Sequence, residues 1–214
     1  MNLLLVCIWI RFVAMAEKWK KTALLVIDMQ VFDLKDYLAP DSPYCMPAGR
    51  AIIPSVKRTV DVARERGILV VWAVREHDYL GRDVELFRRH HYGVGKTGPV
   101  IKGTPGAGMI DGLEVREEDY KLLKNRFSSF LETNLHSLLQ SAGIDSIVVV
   151  GIQTPNCIRQ TVFDAVSLDY PYVTVIVDAT AAETPEVHDA NIFDMKNIGV
   201  EISTLEEWCQ SKSG

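Results

Sequence analysis

The sequence predicts an α/β protein whose core is a mainly parallel sheet covered by helices on both faces, and three observations carry that expectation. Short apolar runs rich in β-branched residues recur along the chain, their hydrophobicity is continuous rather than alternating, and stretches with helical spacing lie between them. Continuous runs belong to strands buried on both faces, and strands that alternate with helices pair in parallel.

The runs are TALLVID (22–28), ILVVWAV (68–74), SIVVVGI (146–152) and VTVIVDA (173–179). Between them Ile52, Val56, Val60 and Ala63 share one helical stripe, Leu131, Leu135, Leu138 and Ala142 a second, and Val162, Ala165 and Val166 a third. Gly67, Gly143 and Gly199 each follow a helical stretch and precede a β-branched residue, so each is expected to cap its helix in the left-handed conformation. Residues 77–125 break the pattern. They are charged, then glycine-rich (GVGKTGPVIKGTPGAG), with little periodicity until DYKLLK, and a loop of that length in a compact domain is expected to wall or cover a site.

At 214 residues and 48% hydrophobic, the chain supports one buried core. Residues 1–15 are read as an N-terminal extension outside the fold, either an upstream start ahead of Met15 or a targeting segment, and residues 16–214 as a single domain. The apolar stretch NLLLVCIWI falls short of the roughly 20 residues a membrane span requires, so no membrane partner is expected. A net charge of −5 without a block of like charges offers no grip on phosphates, which argues against nucleic acid. Cys7, Cys45, Cys157 and Cys209 are scattered without CxxC spacing, a pattern that fits a reducing, cytoplasmic setting.

Candidate chemistry is sparse. GKT at 95–97 lacks the glycine a phosphate-binding loop needs five residues earlier, where His90 stands, and Pro99 blocks the helix that should follow. His77, His90 and His91 lie near Glu76, Asp78, Asp83 and Glu85, but no HxH, DxH or HExxH spacing converges ligands, and neither a metal nor another cofactor is expected. Asp28 closes the first apolar run, where an acid is costly to bury without a partner or a task, and where parallel sheets carry their ligand clefts. Lys124 sits in YKLLKNRFSSF and on its own reads as a solvated lysine. Cys157, in GIQTPNCIRQT, stands where a buried strand hands over to a helix starting near Pro155 or Asn156. A thiol in a first helical turn is favoured as the thiolate, and its pKa is expected to fall from about 8.5 towards roughly 6, given a cation or base such as Lys124 or Asp28 nearby.

VIDMQ with Asp28, KNRFSSF with Lys124 and VVVGIQTPNCIRQTVFDAV with Cys157 resemble, in order, the three motifs of the isochorismatase-like cysteine hydrolases, a family that includes nicotinamidases and ureidoacrylate amidohydrolases. The resemblance runs from about Lys21 to Trp208 and is nearest to plant proteins called probable inactive nicotinamidases. It implies a doubly wound, mainly parallel six-stranded sheet with Asp28, Lys124 and Cys157 meeting at its carboxyl edge. It further implies a cis peptide between Ile152 and Gln153, an oxyanion site on the backbone N–H groups of Gln153 and Cys157, and a homo-oligomer. The implied activity is metal-independent hydrolysis of a C–N bond in a small amide or ureido (N-carbamoyl) substrate through a thioester. An isochorismatase-type vinyl-ether hydrolase and an inactive nicotinamidase-like binding module stay open. Gln30, Arg75 and Phe87 are candidate substrate contacts. Metal-dependent nicotinamidases carry DxH where this chain has VREHDY (74–79), and VFD (31–33) replaces the usual NDF, so the wall around Phe32 is expected to differ.

Overall fold

The computed structural model describes residues 19–31 and 47–211. The N-terminal extension, Cys7, Cys45 and the wall around Phe32 lie outside the described residues.

In chain order the elements are β1 (Thr22–Ile27), α1 (Ile53–Glu65), β2 (Leu69–Val74), β3 (Tyr120–Leu123), α2 (Leu135–Ser141), β4 (Ser146–Ile152), α3 (Arg159–Ser167), β5 (Tyr172–Ala181), α4 (Pro185–Asn197), β6 (Glu201–Ser203) and α5 (Leu205–Gln210). The six strands form one sheet in the order β3-β2-β1-β4-β5-β6, and every neighbouring pair is parallel. The strand order reverses between β1 and β4, the position at which open α/β sheets bind ligands beyond their carboxyl ends.

Continuous hydrophobicity in the central strands has a direct cause. Leu24 and Val26 of β1 pack with Val56, Val60 and Ala63 of α1 and with Leu205 and Trp208 of α5. Their neighbours Ala23, Leu25 and Ile27 pack on the opposite face with Leu135 and Leu139 of α2, Val162 and Ala165 of α3 and Met195 of α4. A strand covered on both sides has no face on which a polar residue is tolerated.

All three expected glycine caps are present. Gly67, Gly143 and Gly199 have φ of 69°, 68° and 88°. Behind them Ile68, Ile144 and Val200 donate their N–H groups back to Ala63, Leu139 and Met195, closing the same six-to-one turn each time. The α3 end makes a fourth such turn with a non-glycine residue, Asp169 at φ 61°, followed by buried Tyr170 bonding back to Ala165. No atom lies within 4 Å of where a Cβ at Gly143 would sit, so a Gly143→Ala substitution costs only the left-handed backbone penalty. The expected loss is about 1 kcal/mol, measured by urea unfolding, with the native fold unchanged.

The structure corrects the sequence reading in two places. DYKLLK is a strand, the edge strand β3, whose alternating exposure leaves only Leu122 fully inside and therefore no apolar run to see. The second stripe begins too early: Leu131 is exposed and precedes the helix, whose first turn is held by the Thr133 hydroxyl accepting from Leu135 N–H, and the core-facing residues are Leu135 and Leu139.

The long segment after β2 is tied to the sheet rather than loose. His77 N–H donates to Val100 C=O, Lys102 N–H to His77 C=O, and Ile110 N–H to Met29 C=O. At the far end the buried Asp119 carboxylate pairs with Arg64 and accepts from Trp72 Nε1 at 2.9 Å, which satisfies an otherwise fully buried indole. Among the described residues no helix is long and apolar enough to cross a membrane.

Candidate active site

Four neighbouring strands deliver charged or nucleophilic side chains to one spot at the carboxyl edge of the sheet. Asp28 directly follows β1, Arg75 follows β2, Lys124 follows β3, and the turn bearing Cys157 follows β4. Backbone bonds fix the first and third: Asp28 N–H donates to Ala73 C=O and Lys124 N–H to Val74 C=O, each at 2.9 Å. Asp28 has φ 53°, a strained conformation for a residue with a Cβ and a common mark of a functional position.

Lys124, with no exposed side-chain surface, places Nζ 2.8 Å from Asp28 Oδ2 and 3.3 Å from Cys157 Sγ. Arg75 adds a second cation, its Nη2 3.7 Å from Sγ and its Nε 3.7 Å from Asp28 Oδ2. Asp28 Oδ1 is buried and accepts no hydrogen bond among the described residues. A buried carboxylate oxygen left without a donor beside a thiol is an acceptor held ready for a proton.

The nucleophile turn differs from the expected helix start. Thr154–Ile158 winds as one π-helical turn before α3 begins at Arg159, and the peptide between Ile152 and Gln153 is cis, as the resemblance implies. The Thr154 hydroxyl meets His188 Nδ1 of α4 at 2.8 Å. On the other flank Thr161 of α3 accepts from Ser129 N–H at 2.9 Å and bonds its hydroxyl, which locks the loop after Lys124 to the helix after Cys157.

The Cys157 thiol has a raised pKa, contrary to the lowering expected from a first helical turn. Burial is the main cause and the charge of Asp28 the second; Lys124 and Arg75 oppose them without prevailing. Burial and Asp28 thus favour the neutral thiol at rest, with the unoccupied Asp28 Oδ1 as a nearby acceptor. Arg75 is held above the usual guanidinium range: its own burial works against its charge, but Cys157, Asp28 and Glu85 more than offset that. His77 is fully buried and its pKa falls to about 4, through desolvation and the adjacent Arg75 charge. Its Nε2 lies 3.4 Å from Arg75 Nη1, and because a guanidinium only donates, the ring is a neutral acceptor there.

That contact bears on the metal of the nicotinamidases. The segment in which the resemblance expects DxH is VREHDY (74–79), and there the Arg75 guanidinium lies against His77 Nε2. Among the described residues no cluster of His, Cys, Asp or Glu is arranged to hold an ion. The donor set does not fit a metal here, because a fixed cation already fills it.

A small open cleft over Cys157 is lined by Asp28, Arg75, Arg88, Phe127, Gln153 and Asn156 along with Ile152 and Cys157 itself. Of the expected substrate contacts, Arg75 is in this lining. Gln30 is not: its amide donates to Arg75 C=O and Ala107 C=O and accepts from Arg75 N–H, all at 2.8 Å, leaving a fully buried side chain that clamps the sheet edge to the long loop. Phe87 is not in the lining either. It is 62% exposed and supports the cleft indirectly by stacking on Phe127, with ring centroids 6.1 Å apart. Sequence reasoning missed Arg88, Phe127 and Asn156, of which Phe127 sits inside the KNRFSSF motif and Arg88 carries no local signal.

The family model described as Isochorismatase domain matches residues 22–207. An Arabidopsis thaliana protein named "Probable inactive nicotinamidase" is 62% identical over 197 residues, covering 92% of this chain and 98% of its own. A ureidoacrylate amidohydrolase of Rhizobium rhizogenes is 25% identical over 212 residues, covering 92% of this chain and 85% of its own. Among solved structures, an isochorismatase family protein of Desulfovibrio vulgaris is 38% identical with a TM-score of 0.81, covering 87% of this chain and 95% of the other.

Proposed function

The chain belongs to the isochorismatase family, and from that premise we propose that it is a metal-independent cysteine hydrolase that cleaves a C–N bond of a small amide or N-carbamoyl compound. The observation that carries this reading is the placement of Asp28 and Cys157 within hydrogen-bonding distance of one shared Lys124 ammonium.

In the first half-reaction Asp28 takes the Cys157 proton as Sγ attacks the carbonyl carbon, with Lys124 offsetting the charge that builds on sulfur. The resulting oxyanion faces the backbone N–H groups of Gln153 and Cys157. Collapse breaks the C–N bond, Asp28 returns the proton to the departing nitrogen, and ammonia leaves from a thioester. In the second half Asp28 takes a proton from water, hydroxide attacks the thioester, and the thiolate is expelled and reprotonated. A working thiol of this kind suits a reducing compartment.

Ammonia release from purified protein should be measured across ureidoacrylate, N-carbamoyl amino acids and nicotinamide. The expected result is turnover of a carbamoyl compound that is indifferent to chelator, is lost on alkylation of Cys157 by iodoacetamide, and leaves an acyl mass on Cys157 when quenched. Turnover that survives full alkylation would overturn the thiol mechanism and favour vinyl-ether hydrolysis, which requires an acid and no thiol. A second reading, a binding module without turnover, is favoured by the protonated resting thiol and by the printed name of the Arabidopsis relative. No product and no acyl adduct with any compound in the panel would select it.

Lys124→Met removes the nearer of the two cations facing Asp28. Breaking a buried pair costs roughly 3–5 kcal/mol. The loss expected here is at the low end, because Arg75 Nε still faces the same oxygen at 3.7 Å. Urea unfolding reads that loss, and the pH dependence of Cys157 alkylation should move to higher pH, because Lys124 opposes the rise in the thiol pKa.

A further inference from the structure

Resting on the hydrolase reading above, we propose that the substrate carries a carboxylate besides its carbamoyl or amide group, and that Arg88 is the residue that binds this anion.

Consider the charges around Cys157. Lys124, Arg75 and Arg88 are cations and Asp28 and Glu85 are the carboxylates paired with them, so the resting site with its neutral thiol keeps one positive charge in surplus. Lys124 is committed to Asp28. Arg75 is committed as well: both its Nη groups lie 3.0 Å from Glu85 Oε1, and the same head touches His77 and Cys157.

Arg88 is different. Its Nε approaches Glu85 Oε2 at 3.4 Å, its side chain is 22% exposed, and it lines the cleft. Among the described residues neither of its Nη groups makes a hydrogen bond, so among them the two-pronged end of this guanidinium is the least committed cation lining the cleft. It is also held in place. Its guanidinium lies 5.6 Å from the Phe127 ring centroid and 5.0 Å from that of Phe87, with Glu85 Oε2 3.4 Å from Nε. An anchored planar fork with two free donors matches a carboxylate, and neighbouring Phe127 offers an apolar wall for the few carbons between that carboxylate and the reacting carbonyl.

The inference assigns a task to the Leu86–His91 turn, which sequence reasoning identified only as part of a site wall. Glu85 then serves both arginines, holding Arg75 inward against the thiol and Arg88 outward towards the ligand. Neutral nicotinamide would leave Arg88 unpaired, whereas a carbamoyl amino acid would satisfy it.

Protection of Cys157 from iodoacetamide tests this without requiring turnover. Two ligands of one shape, N-carbamoylglycine and N-carbamoylglycinamide, differ in carrying a carboxylate or a carboxamide. At mildly alkaline pH, with labelling followed at the Cys157 peptide by mass spectrometry, the acid should protect wild-type protein at about one-tenth the concentration the amide needs. In Arg88→Met the ratio should collapse towards one, and Arg88→Lys should restore part of it. Equal protection by the two ligands, protection by neither, or a preference that survives in Arg88→Met would overturn the proposal. A protein that hydrolyses nothing yet prefers the acid loses the hydrolase reading and keeps this one. Hydrolysis of carbamoyl compounds with no preference for the acid does the reverse.

Discussion

Asp28→Asn should lower kcat for ammonia release on the order of a thousandfold and, at the same time, make Cys157 more reactive towards iodoacetamide at neutral pH. The two effects have one origin. In the wild-type protein the Asp28 charge raises the thiol pKa, while Lys124 at 3.3 Å and Arg75 at 3.7 Å act to lower it. An isosteric amide removes the acceptor for the thiol proton and so removes base catalysis. It also leaves two ammonium-type charges facing the sulfur with no carboxylate between them, which favours the thiolate. While the thiolate is the minor species, each unit by which the pKa falls raises the alkylation rate about tenfold at fixed pH. An inert passenger cysteine would show neither change, and a thiol that is simply unmasked by local unfolding would react faster without the midpoint of its pH profile moving. Reactivity and turnover falling together in Asp28→Asn would mean that proton acceptance by the carboxylate, and not the charge of the two cations, limits formation of the thiolate. Lys124→Met supplies the opposite sign, a slower alkylation, so the pair of variants separates the two charges.

How much of this was legible before the coordinates follows from where each residue's partners come from. The four long strands could be read because each is buried on both faces, which leaves its mark in consecutive residues. The glycine caps could be read because the left-handed turn, its glycine and the apolar residue behind it are neighbours in sequence. Asp28, Lys124 and Cys157 came from motifs, and the sheet order places those motifs side by side. What could not be read depends on contacts between distant segments. Gln30 looked like a ligand contact because it is polar and close to Asp28, yet its partners are 45 and 77 residues away. The thiol pKa was misjudged because the sequence argument weighed a helix start with a cation or base nearby but not burial, which with the Asp28 charge outweighs both cations. β3 was hidden because an edge strand of four residues alternates too briefly to stand out.

The largest stability effect is expected where no side chain is present at all. Gly151, one residue before the end of β4, pairs with Ile27, the last residue of β1, at the centre of the sheet. Its φ is 116°, and a Cβ built on it would lie 2.1 Å from Ile27 O and 2.8 Å from Ile27 N. These are backbone atoms of a strand packed on both faces, so no flexible side chain is available to move aside. Gly151→Ala must therefore combine backbone strain with a steric clash, and we expect a loss of roughly 3–5 kcal/mol, a large share of the 5–15 kcal/mol that holds a domain of this kind together. Gly143→Ala is the matched control, since it carries the positive φ without any neighbour within 4 Å. Subtracting the two losses from urea unfolding leaves the clash together with the extra backbone strain of φ 116° over φ 68°. If β1 and β4 instead part to accommodate the methyl group, the displacement falls at the residues that lead into Asp28 and Gln153, and ammonia release should fall even in the fraction that remains folded. A Gly151→Ala protein with an unfolding midpoint matching that of Gly143→Ala and with unimpaired turnover would show that the two strands do not approach as closely as the geometry requires, and with that the spacing between Asp28 and Cys157 would have to be redrawn.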